Sequence, residues 1–323
     1  MRILLITNDA RALKPEQATT LLGFGASERG WQTWVGDARE LYVDGAQGVC
    51  VRARQVPRSA DVSRWQKQLA AAPLTAVALG QVDAVLVRTN PGRGTGTDHD
   101  TAIAMLAMAE HNGVRVHNSP RALMTWRGKL SQALVPKRYR PPWRAGLASG
   151  AVDAFLLGRE GRSVVKPLVG TQGRGVVRLE HQDGSRGGVM DGMLQGGGII
   201  AQDYLEEAPA GDIRIIVIEG QVLRAKGRVA AVGRRPPKGD FRSNVAAGGT
   251  AWFPDTVPPD ALRAATATAK NLAAAGLLVA GVDIVGGQVV EVNLASPGGF
   301  HDIHSHTGID VAGAVLDAVE GKA

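Results

Sequence analysis

The sequence predicts an α/β protein in which a parallel-sheet domain is followed by two lobes of mixed helices and hairpins. Two observations lead to this class. Over residues 1–120, short apolar runs alternate with helical patterns, which is typical of a parallel sheet covered by helices on both faces. From residue 163 onward, paired apolar runs flank glycine-rich turns, which indicates antiparallel hairpins. We expect an N-terminal α/β domain over 1–120, a central lobe over 121–200 and a C-terminal lobe over 201–323.

Local patterns justify the individual elements of the first domain. Arg2 to Thr7 is an apolar run and predicts the first strand. Pro15 suits the first position of a helix that extends to Glu28, and Gly30 ends it. Asp98 is a suitable N-cap for a helix that ends before Gly113. Further strands are predicted at 31–35, 49–52, 82–88 and 114–116.

The later elements follow from the same kinds of pattern. Periodicity predicts helices over 122–134, 260–275 and 309–320. Apolar runs predict strands at 163–165, 176–179, 199–204, 213–218, 221–225, 279–285 and 289–293. The glycine-heavy segment 184–198 is expected to be mobile.

Composition and charge exclude several classes of protein. Hydrophobic residues make up 44% and charged residues 21%, as in ordinary globular enzymes. Cys50 is the single cysteine and cannot form an intramolecular disulfide, which suits a reducing compartment. No apolar run approaches the ~20 residues of a membrane span, so we expect a cytoplasmic protein that does not contact membranes. The net charge of +7 comes from arginines spread along the chain, and it favours anionic small molecules over nucleic acid as partners.

A glycine-rich hairpin is the first candidate for a binding element. The segment Gly170-Thr171-Gln172-Gly173-Arg174-Gly175 separates two strand-like runs, and Lys166 precedes it. Glycine permits positive φ, so that consecutive N–H groups can point at phosphate oxygens. Neither GK[ST] nor a helix follows, so this segment is not a P-loop or a dinucleotide-binding turn. We predict a hairpin tip that folds over a nucleotide, with Lys166 as the fixed cation.

Asp283, Glu291 and Asn293 form a candidate metal site. Glu291 and Asn293 are two residues apart on one strand, so their side chains share a face. A three-residue loop over 286–288 would place Asp283 opposite Glu291 on that face, whereas a two-residue Gly-Gly loop would place it on the other face. Two carboxylates and an amide oxygen on otherwise apolar strands suit Mg²⁺.

Arginines supply the remaining candidates. Arg88 follows a buried strand, and ligands bind at the carboxyl ends of parallel strands. Asp212, Arg214, Arg234, Arg242 and Asn244 lie between the two constellations. Because arginine stays charged and offers a fork of donors, it suits a transferring phosphoryl group or a carboxylate.

The run of motifs VVKPLVGTQGRGV, AQDYL, GDIR, GDFRSNVAAGG, VAGVDI and EVNLASPGG resembles the ATP-grasp superfamily. The N-terminal third is similar to that of prokaryotic glutathione synthetases, through LYVDGAQ, VDAVLVRTNP and HNGVRVHNSPRAL. The resemblance implies an ATP-grasp fold with a Rossmann-like N-terminal domain, and ATP and Mg²⁺ as cofactors. It also implies roles for individual residues. For ATP, the phosphates would be contacted by Lys129 and Lys166, the adenine hinge would be formed by Gln202, Asp203, Tyr204 and Leu205, and the ribose would lie near Asp212. Mg²⁺ would be held by Asp283, Glu291 and Asn293, and the transferred phosphoryl group would be acted on by Arg214, Arg242 and Asn244. The substrate would be faced by Arg88, Arg234, Ser296, Gly298 and Gly299.

The chain departs from the glutathione synthetase pattern in three places. Asn90 stands where that branch has an aspartate, and SPGGF followed by His301, His304 and His306 replaces SPT. The histidine segment is expected to be a polar loop that faces the substrate, with a transition-metal site as the alternative. GDFRSN and HTGIDVAG are more similar to RimK-type glutamate ligases.

We therefore expect a ligase that activates a carboxylate as an acyl phosphate and joins it to an amine. The first hypothesis is a glutathione-synthetase-like enzyme that joins a γ-glutamyl dipeptide to a small amino acid. The second is a RimK-like ligase with a different acceptor, and the third is a basic binding module without enzyme activity. The substrates are amino acids or short peptides, and we expect a homo-oligomer, either a dimer or a tetramer.

Overall fold

The computed structural model describes residues 1–92, 96–157, 159–170, 173–243 and 248–322. Within these residues, three larger sheets organise the fold, and a separate short hairpin accompanies them. The predicted positions Thr171, Gln172 and Asn244 lie outside the described residues.

The N-terminal sheet has the strand order β4-β3-β2-β1-β5-β6. Strands β2, β1, β5 and β6 run parallel, and β3 runs antiparallel to both of its neighbours, β2 and β4, so the predicted parallel sheet is a mixed one. The strands are β1 Arg2–Thr7, β2 Gln32–Asp44, β3 Gly48–Gln55, β4 Thr75–Ala78, β5 Ala84–Val87 and β6 Val116–His117, and the helices are α1 Ala18–Glu28, α2 Val62–Ala71, α3 Gly96–His111 and α4 Pro120–Thr125.

Three helix predictions in this region are wrong in detail. Pro15 does not take the first position of α1, because the helix begins at Ala18 after Gln17. Asp98 lies in the first turn of α3 rather than at its N-cap, because the helix begins at Gly96. The helix predicted over 122–134 is broken after Thr125. Gly128 has φ +56°, which the right-handed helix does not allow, and a 3₁₀ helix then covers Gly128–Leu134.

The central lobe is a four-stranded antiparallel sheet with the order β7-β10-β8-β9. Its own small core includes Val165, Leu179, Met190 and Ile199. The segment 184–198, which was expected to be mobile, contains helix α6, whose Met190 is fully buried. The elements are β7 Trp143–Gly146, α5 Ser149–Leu157, β8 Arg162–Pro167, β9 Val177–Glu180, α6 Arg186–Leu194 and β10 Ile199–Asp203.

The C-terminal sheet has the order β16-β15-β11-β17-β18, with β12 paired to β11. The helical prediction over 260–275 and the strands over 279–285 and 289–293 are confirmed to within a residue. The elements are β11 Asp212–Ile218, β12 Gln221–Val222, β13 Arg224–Ala225, β14 Arg228–Val229, β15 Ala231–Arg235, β16 Thr250–Trp252, α7 Pro259–Ala274, β17 Val279–Val285, β18 Gln288–Asn293, α8 Phe300–Thr307 and α9 Val311–Glu320.

The N-terminal and C-terminal sheets are joined by shared cores. Leu4 and Val85 belong to the same apolar cluster as Ile215 and Val282 of the C-terminal sheet. On the other side, α1 packs on α9, and Arg29 forms an ion pair with Asp317 at 2.8 Å. The C-terminal sheet is therefore supported by a well-packed scaffold. Among the residues that the structure describes, no helix combines the length and apolar character needed to cross a membrane.

Candidate active site

The glycine-rich segment is the connection of an antiparallel hairpin, as predicted. Strands β8 and β9 pair from Arg162 opposite Glu180 to Val165 opposite Val177. Gly175 has φ +68°, and a β-carbon there would lie 3.0 Å from Cγ of Pro167. Glycine is favoured at this position because φ is positive and a β-carbon would crowd the neighbouring proline.

Lys166 lies on β8 and points toward the neighbouring sheet. Its Nζ donates to Oε1 of Gln202 at 2.6 Å and to the carbonyl oxygen of Val290 at 3.4 Å. Desolvation by burial lowers the pKa of Lys166 to about 8. Attraction to Glu291 works in the opposite direction, and repulsion from Lys129 adds to the lowering. Lys166 is therefore a partly dehydrated cation, available to an anion that enters the cleft.

Lys129 approaches the same place from the 3₁₀ helix. Its Nζ donates to the carbonyl oxygen of Gly170 at 3.2 Å and lies 3.8 Å from Oε1 of Glu291. Its backbone N–H donates to the carbonyl oxygen of Leu168 at 2.9 Å. Gly128 makes this approach possible, because a β-carbon there would lie 2.2 Å from that carbonyl oxygen. The sequence prediction missed Gly128, although a glycine beside a candidate lysine was a usable signal.

The predicted acids and arginines meet on three adjacent strands. Arg214 of β11 lies opposite Asp283 of β17, and Asp283 lies opposite Glu291 of β18. Nε and Nη2 of Arg214 donate to the two oxygens of Asp283 at 2.7 and 2.8 Å. Nδ2 of Asn293 donates to Oδ2 of Asp283 at 3.0 Å, so the predicted trio is contiguous.

A β-bulge decides this arrangement. The turn is the two-residue Gly286-Gly287 loop, since Val285 pairs with Gln288, and such a loop alone would turn Asp283 away from Glu291. The register shifts between Asp283 and Ile284, where one extra residue, Val290, is inserted. The three-residue loop is therefore wrong, yet the predicted pairing of Asp283 with Glu291 is confirmed.

Arg234 links a second carboxylate to this group. It donates through Nε and Nη2 to the two oxygens of Asp212 at 2.8 and 2.6 Å, and its Nη2 also lies 2.8 Å from Oδ2 of Asp283. All three side chains are at least nine-tenths buried. Arg234 was predicted to face the substrate, and its membership of an ion-pair network was not predicted from the sequence.

The network separates the pKa values of the two aspartates. Burial opposes ionisation of Asp283, but attraction by Arg214 and Arg234, with their hydrogen bonds, outweighs burial and lowers its pKa. Burial raises the pKa of Asp212, and Arg234 only partly offsets the effect. Burial disfavours the charge of Arg234, but the two aspartates outweigh it and raise its pKa. The guanidinium group of Arg234 therefore stays charged in the cleft.

A narrow cleft of about 110 Å³ lies between the central and C-terminal sheets. Tyr204 packs edge-on against Phe241, with ring centroids 5.9 Å apart. The Asp203 carboxylate is held by Arg159 through a two-point contact, and Leu205 forms part of the cleft wall. The lining combines apolar side chains with the charged groups above; the apolar members are Val164, Val176, Leu205, Phe241, Val285 and Val290.

Arg242 lines the same cleft but forms its ion pair locally. Its guanidinium donates to both oxygens of Asp240, at 2.7 to 3.1 Å. Hydrogen bonds from Arg242 lower the pKa of Asp240 to about 2, against an opposing effect of burial. The structure therefore places Arg242 at the edge of the cleft rather than in the Arg214–Arg234 network.

Two further clefts continue from this one. A middle cleft of about 330 Å³ shares Lys129, Gly170 and Glu291 with the first. A third cleft of about 990 Å³, on the N-terminal sheet, shares its lining with the middle cleft at Asn90, His99, Ser296 and Gly299. Gly298 lines only the third cleft.

Arg88 lies in the third cleft and is only 2% exposed. Its Nη2 donates to the carbonyl oxygen of Pro297 at 3.0 Å and its Nε to Oγ1 of Thr19 at 3.4 Å, while Nη1 has no partner among the described residues. Desolvation lowers the pKa of Arg88 to about 10. A buried cation without a carboxylate contact suits an anionic ligand.

The predicted histidine loop is a helix. Gly299 has φ +95° and precedes α8, which carries His301, His304 and His306. Nδ1 of His304 lies 3.3 Å from the carbonyl oxygen of Ile309, and His306 stacks on Phe253. Nowhere in the described part of the chain do three or more His, Cys, Asp or Glu side chains form a group that could hold a metal, so the transition-metal alternative is wrong.

Comparison with known proteins decides the family. The model of the prokaryotic glutathione synthetase ATP-grasp domain matches residues 136–308, and that of the N-terminal domain matches residues 1–124. This chain belongs to the prokaryotic glutathione synthetase family. Glutathione synthetase of Neisseria meningitidis serogroup A is 32% identical over 322 residues, covering 99% of this chain and 98% of the relative. The enzyme of Nitrosomonas europaea is 33% identical over 259 residues, covering 80% and 77%.

Solved structures confirm the ATP-grasp fold. D-cycloserine synthetase DcsG has a TM-score of 0.65 at 19% identity, with 99% of this chain and 100% of that chain covered. D-alanyl-alanine synthetase A of Vibrio cholerae has a TM-score of 0.59 at 10% identity, with 100% and 98% covered. The family member described here is an ATP-dependent ligase that forms an amide bond.

Proposed function

We propose that the enzyme joins a γ-glutamyl dipeptide to a small amino acid, as its glutathione synthetase relatives are named for doing. The observation that best supports this proposal is that the three clefts are continuous. Cations line the cleft at one end, and Arg88 lies at the other end. A carboxylate oxygen of the dipeptide attacks the γ-phosphorus of ATP, and the bond to the bridging oxygen breaks to release ADP. The amine nitrogen of the acceptor then attacks the acyl carbon, loses a proton and displaces inorganic phosphate.

Charge balance supports binding of a polyanion. Five cations and four carboxylates line the cleft, which leaves one positive charge; they are Lys129, Lys166, Arg174, Arg234 and Arg242, and Asp203, Asp212, Asp283 and Glu291. Phosphoryl transfer needs positioning and neutralisation of charge more than a protein nucleophile. We assign Lys129 and Lys166 to the phosphates, and Arg214 with Arg242 and Asn244 to the transferred group.

The oxygen ligands fit Mg²⁺. Glu291 has an exposed side-chain fraction of 31%. Lys129 lies 3.8 Å from its Oε1 and Lys166 is near enough for their charges to attract, yet the partial exposure leaves the carboxylate accessible to a cation. Asp283 already accepts from Arg214, Arg234 and Asn293, and would bind the metal through the lone pair that remains on Oδ1. Mg²⁺ would neutralise charge on the phosphates of ATP. We propose Asp283, Glu291 and Asn293 as its protein ligands.

The apolar end of the narrow cleft suits the adenine. We assign the hinge to Gln202, Asp203, Tyr204 and Leu205, and the fold-over tip to Gly170, Thr171, Gln172, Gly173 and Gly175. Asp212 would lie near the ribose. Both of its oxygens are held by Arg234, so it offers only its remaining lone pairs to a hydroxyl.

Release of phosphate with candidate substrates tests this proposal. The purified enzyme is incubated with Mg-ATP, γ-glutamylcysteine and glycine, followed by a panel of other acceptor amino acids, and product masses are measured. We expect a tripeptide and one phosphate per turn. If the enzyme turned over only with an acceptor and donor typical of a RimK-type ligase, the second hypothesis would replace this assignment. If the enzyme failed to bind ATP, both hypotheses would be contradicted.

Three further properties belong to the proposal. We divide the chain into 1–120, 121–200 and 201–323, with ATP bound between the second and third units. We place the enzyme in the cytoplasm, and we infer a dimer or tetramer from the family resemblance. Light scattering of the purified protein measures the oligomeric state.

A further inference from the structure

The third cleft contains a charge cluster that the proposed reaction does not yet use. It lies at the carboxyl ends of the parallel strands of the N-terminal sheet, where α/β proteins bind ligands. Arg54 of β3 and Asp37 of β2 line it, together with Arg88.

Arg54 is a buried cation whose hydrogen bonds are incomplete. Its exposed fraction is 2%, and its Nε and Nη1 have no hydrogen-bond partner among the residues that the structure describes. The nearest carboxylate oxygen, Oδ2 of Asp37, lies 3.5 Å from Nη1 but does not form a hydrogen bond with it. Because an under-satisfied buried guanidinium is costly, an anionic group that completes its contacts would be bound strongly.

Asp37 is a carboxylate whose negative charge is only partly compensated by its surroundings. Its Oδ1 accepts from the backbone N–H of Ala10, and 19% of its side chain remains exposed. Burial raises its pKa, as does repulsion from Asp9 and Glu40, whereas the Ala10 contact and Arg54 lower it. An ammonium group in the cleft would relieve this repulsion.

The spacing of these groups matches an elongated ligand. Thr7 of β1 pairs with Asp37, and on the other side of β1 the N–H of Arg88 donates to the carbonyl oxygen of Ile6. Asp37 and Arg88 therefore stand two strand spacings apart, which is about 10 Å. An extended dipeptide has a similar length.

We propose that Arg54 and Asp37 bind the free α-amino-acid end of the dipeptide, with the α-carboxylate on Arg54 and the ammonium on Asp37. The inference rests on the proposed function. In a γ-linked dipeptide both groups remain on one carbon, whereas an α-linked dipeptide keeps only the ammonium at its N-terminal residue. The pair therefore selects γ-linked donors.

Two analogues test the pair, because each lacks one of the groups. Glutarylcysteine lacks the ammonium, and 4-aminobutyrylcysteine lacks the α-carboxylate. Binding to the full-length enzyme is measured by calorimetry, and KM and kcat by phosphate release with Mg-ATP and glycine. We expect each analogue to bind the wild type about 10- to 100-fold more weakly than γ-glutamylcysteine.

The variants should remove this discrimination selectively. Arg54→Gln should weaken binding of γ-glutamylcysteine about 10- to 100-fold, but should bind 4-aminobutyrylcysteine as the wild type does. Asp37→Asn should do the same for glutarylcysteine. The KM for ATP should not change. Arg64→Gln, which removes a charge from the exposed face of α2, is the matched control.

The binding measurement and the turnover measurement separate the subsite proposal from the proposed function. Wild-type enzyme that binds γ-glutamylcysteine without turning it over would contradict the proposed function and leave the binding comparison valid. Equal affinities of the wild type for all three ligands, or the same discrimination in folded Arg54→Gln and Asp37→Asn, would overturn the subsite. If both variants melt before assay, the neutral variants Arg54→Met and Asp37→Ser replace them, and unchanged discrimination in these variants would overturn it equally.

Discussion

The lowered pKa of Lys166 predicts that ATP binding weakens with rising pH. If the ammonium form contacts the phosphates, the enzyme binds ATP with Lys166 protonated. With a pKa of about 8, the protonated fraction of the free enzyme falls from about 90% at pH 7 to about 10% at pH 9. The dissociation constant of ATP should therefore rise about tenfold over this range.

Stability changes cannot produce this effect. The pKa of Lys166 is lower in the folded protein than its ordinary 10.5, so the unfolded chain binds more protons between pH 8 and 10.5. The free energy of unfolding therefore rises with pH through this window as far as Lys166 is concerned. Weaker ATP binding at pH 9 would then reflect the lost charge and not a loosened fold.

Equilibrium binding of ATP, measured by calorimetry between pH 7 and 9, checks the prediction. Binding is preferred to turnover because the acceptor amine also titrates near pH 9. Lys166→Arg keeps a charge throughout this range and should give a flat profile, whereas Lys166→Met should bind weakly at every pH. A flat profile in the wild type, or an equal slope in Lys166→Arg, would refute the assignment of Lys166 to the phosphates.

Two further predictions concern residues around Lys129 and the metal ligands. Glu291→Gln should abolish ATP turnover without changing the melting temperature, since Glu291 is partly exposed. Asp283→Asn should abolish turnover and also cost about 3–5 kcal/mol of stability, because two buried guanidinium groups lose a partner. Thermal melts and assays of ADP release distinguish the two variants. Equal melting temperatures for the two variants would contradict the role of Asp283 in the network. Gly128→Ala should lower the free energy of unfolding by more than about 2 kcal/mol, because its β-carbon would lie 2.2 Å from the Leu168 carbonyl oxygen. Gly113→Ala is the control: Gly113 also has a positive φ, but a β-carbon there has nothing within 4 Å, so the loss should be about 1 kcal/mol. Chemical denaturation measures both. Similar losses for both glycine variants would show that the contact with Leu168 is unimportant.

The sequence identified most elements of the cleft because each depends on a local pattern. Lys166 followed by a glycine-rich turn, and Asp283 with Glu291 on neighbouring apolar strands, are recognisable without knowing how the sheets pack. The helix over 122–134 failed because Gly128 serves a contact that is distant along the chain. The loop predicted for the histidine segment, which forms α8, failed because the apolar contacts that bury Phe300 and Ile303 come from elsewhere in the fold.

By itself, then, the sequence determined the class of fold, the order of the hairpins and the residue types that we propose for binding phosphate and magnesium. Tertiary structure alone decided which groups pair. A single bulge at Val290 turned Asp283 toward Glu291, and packing of β11 beside β15 gave Arg234 two carboxylates. It also left Nε and Nη1 of Arg54 without hydrogen-bond partners in the part of the chain that the structure describes. The reason is physical: side-chain direction reverses with a one-residue shift of register, and the energy of a charge depends on burial by residues far away in the chain.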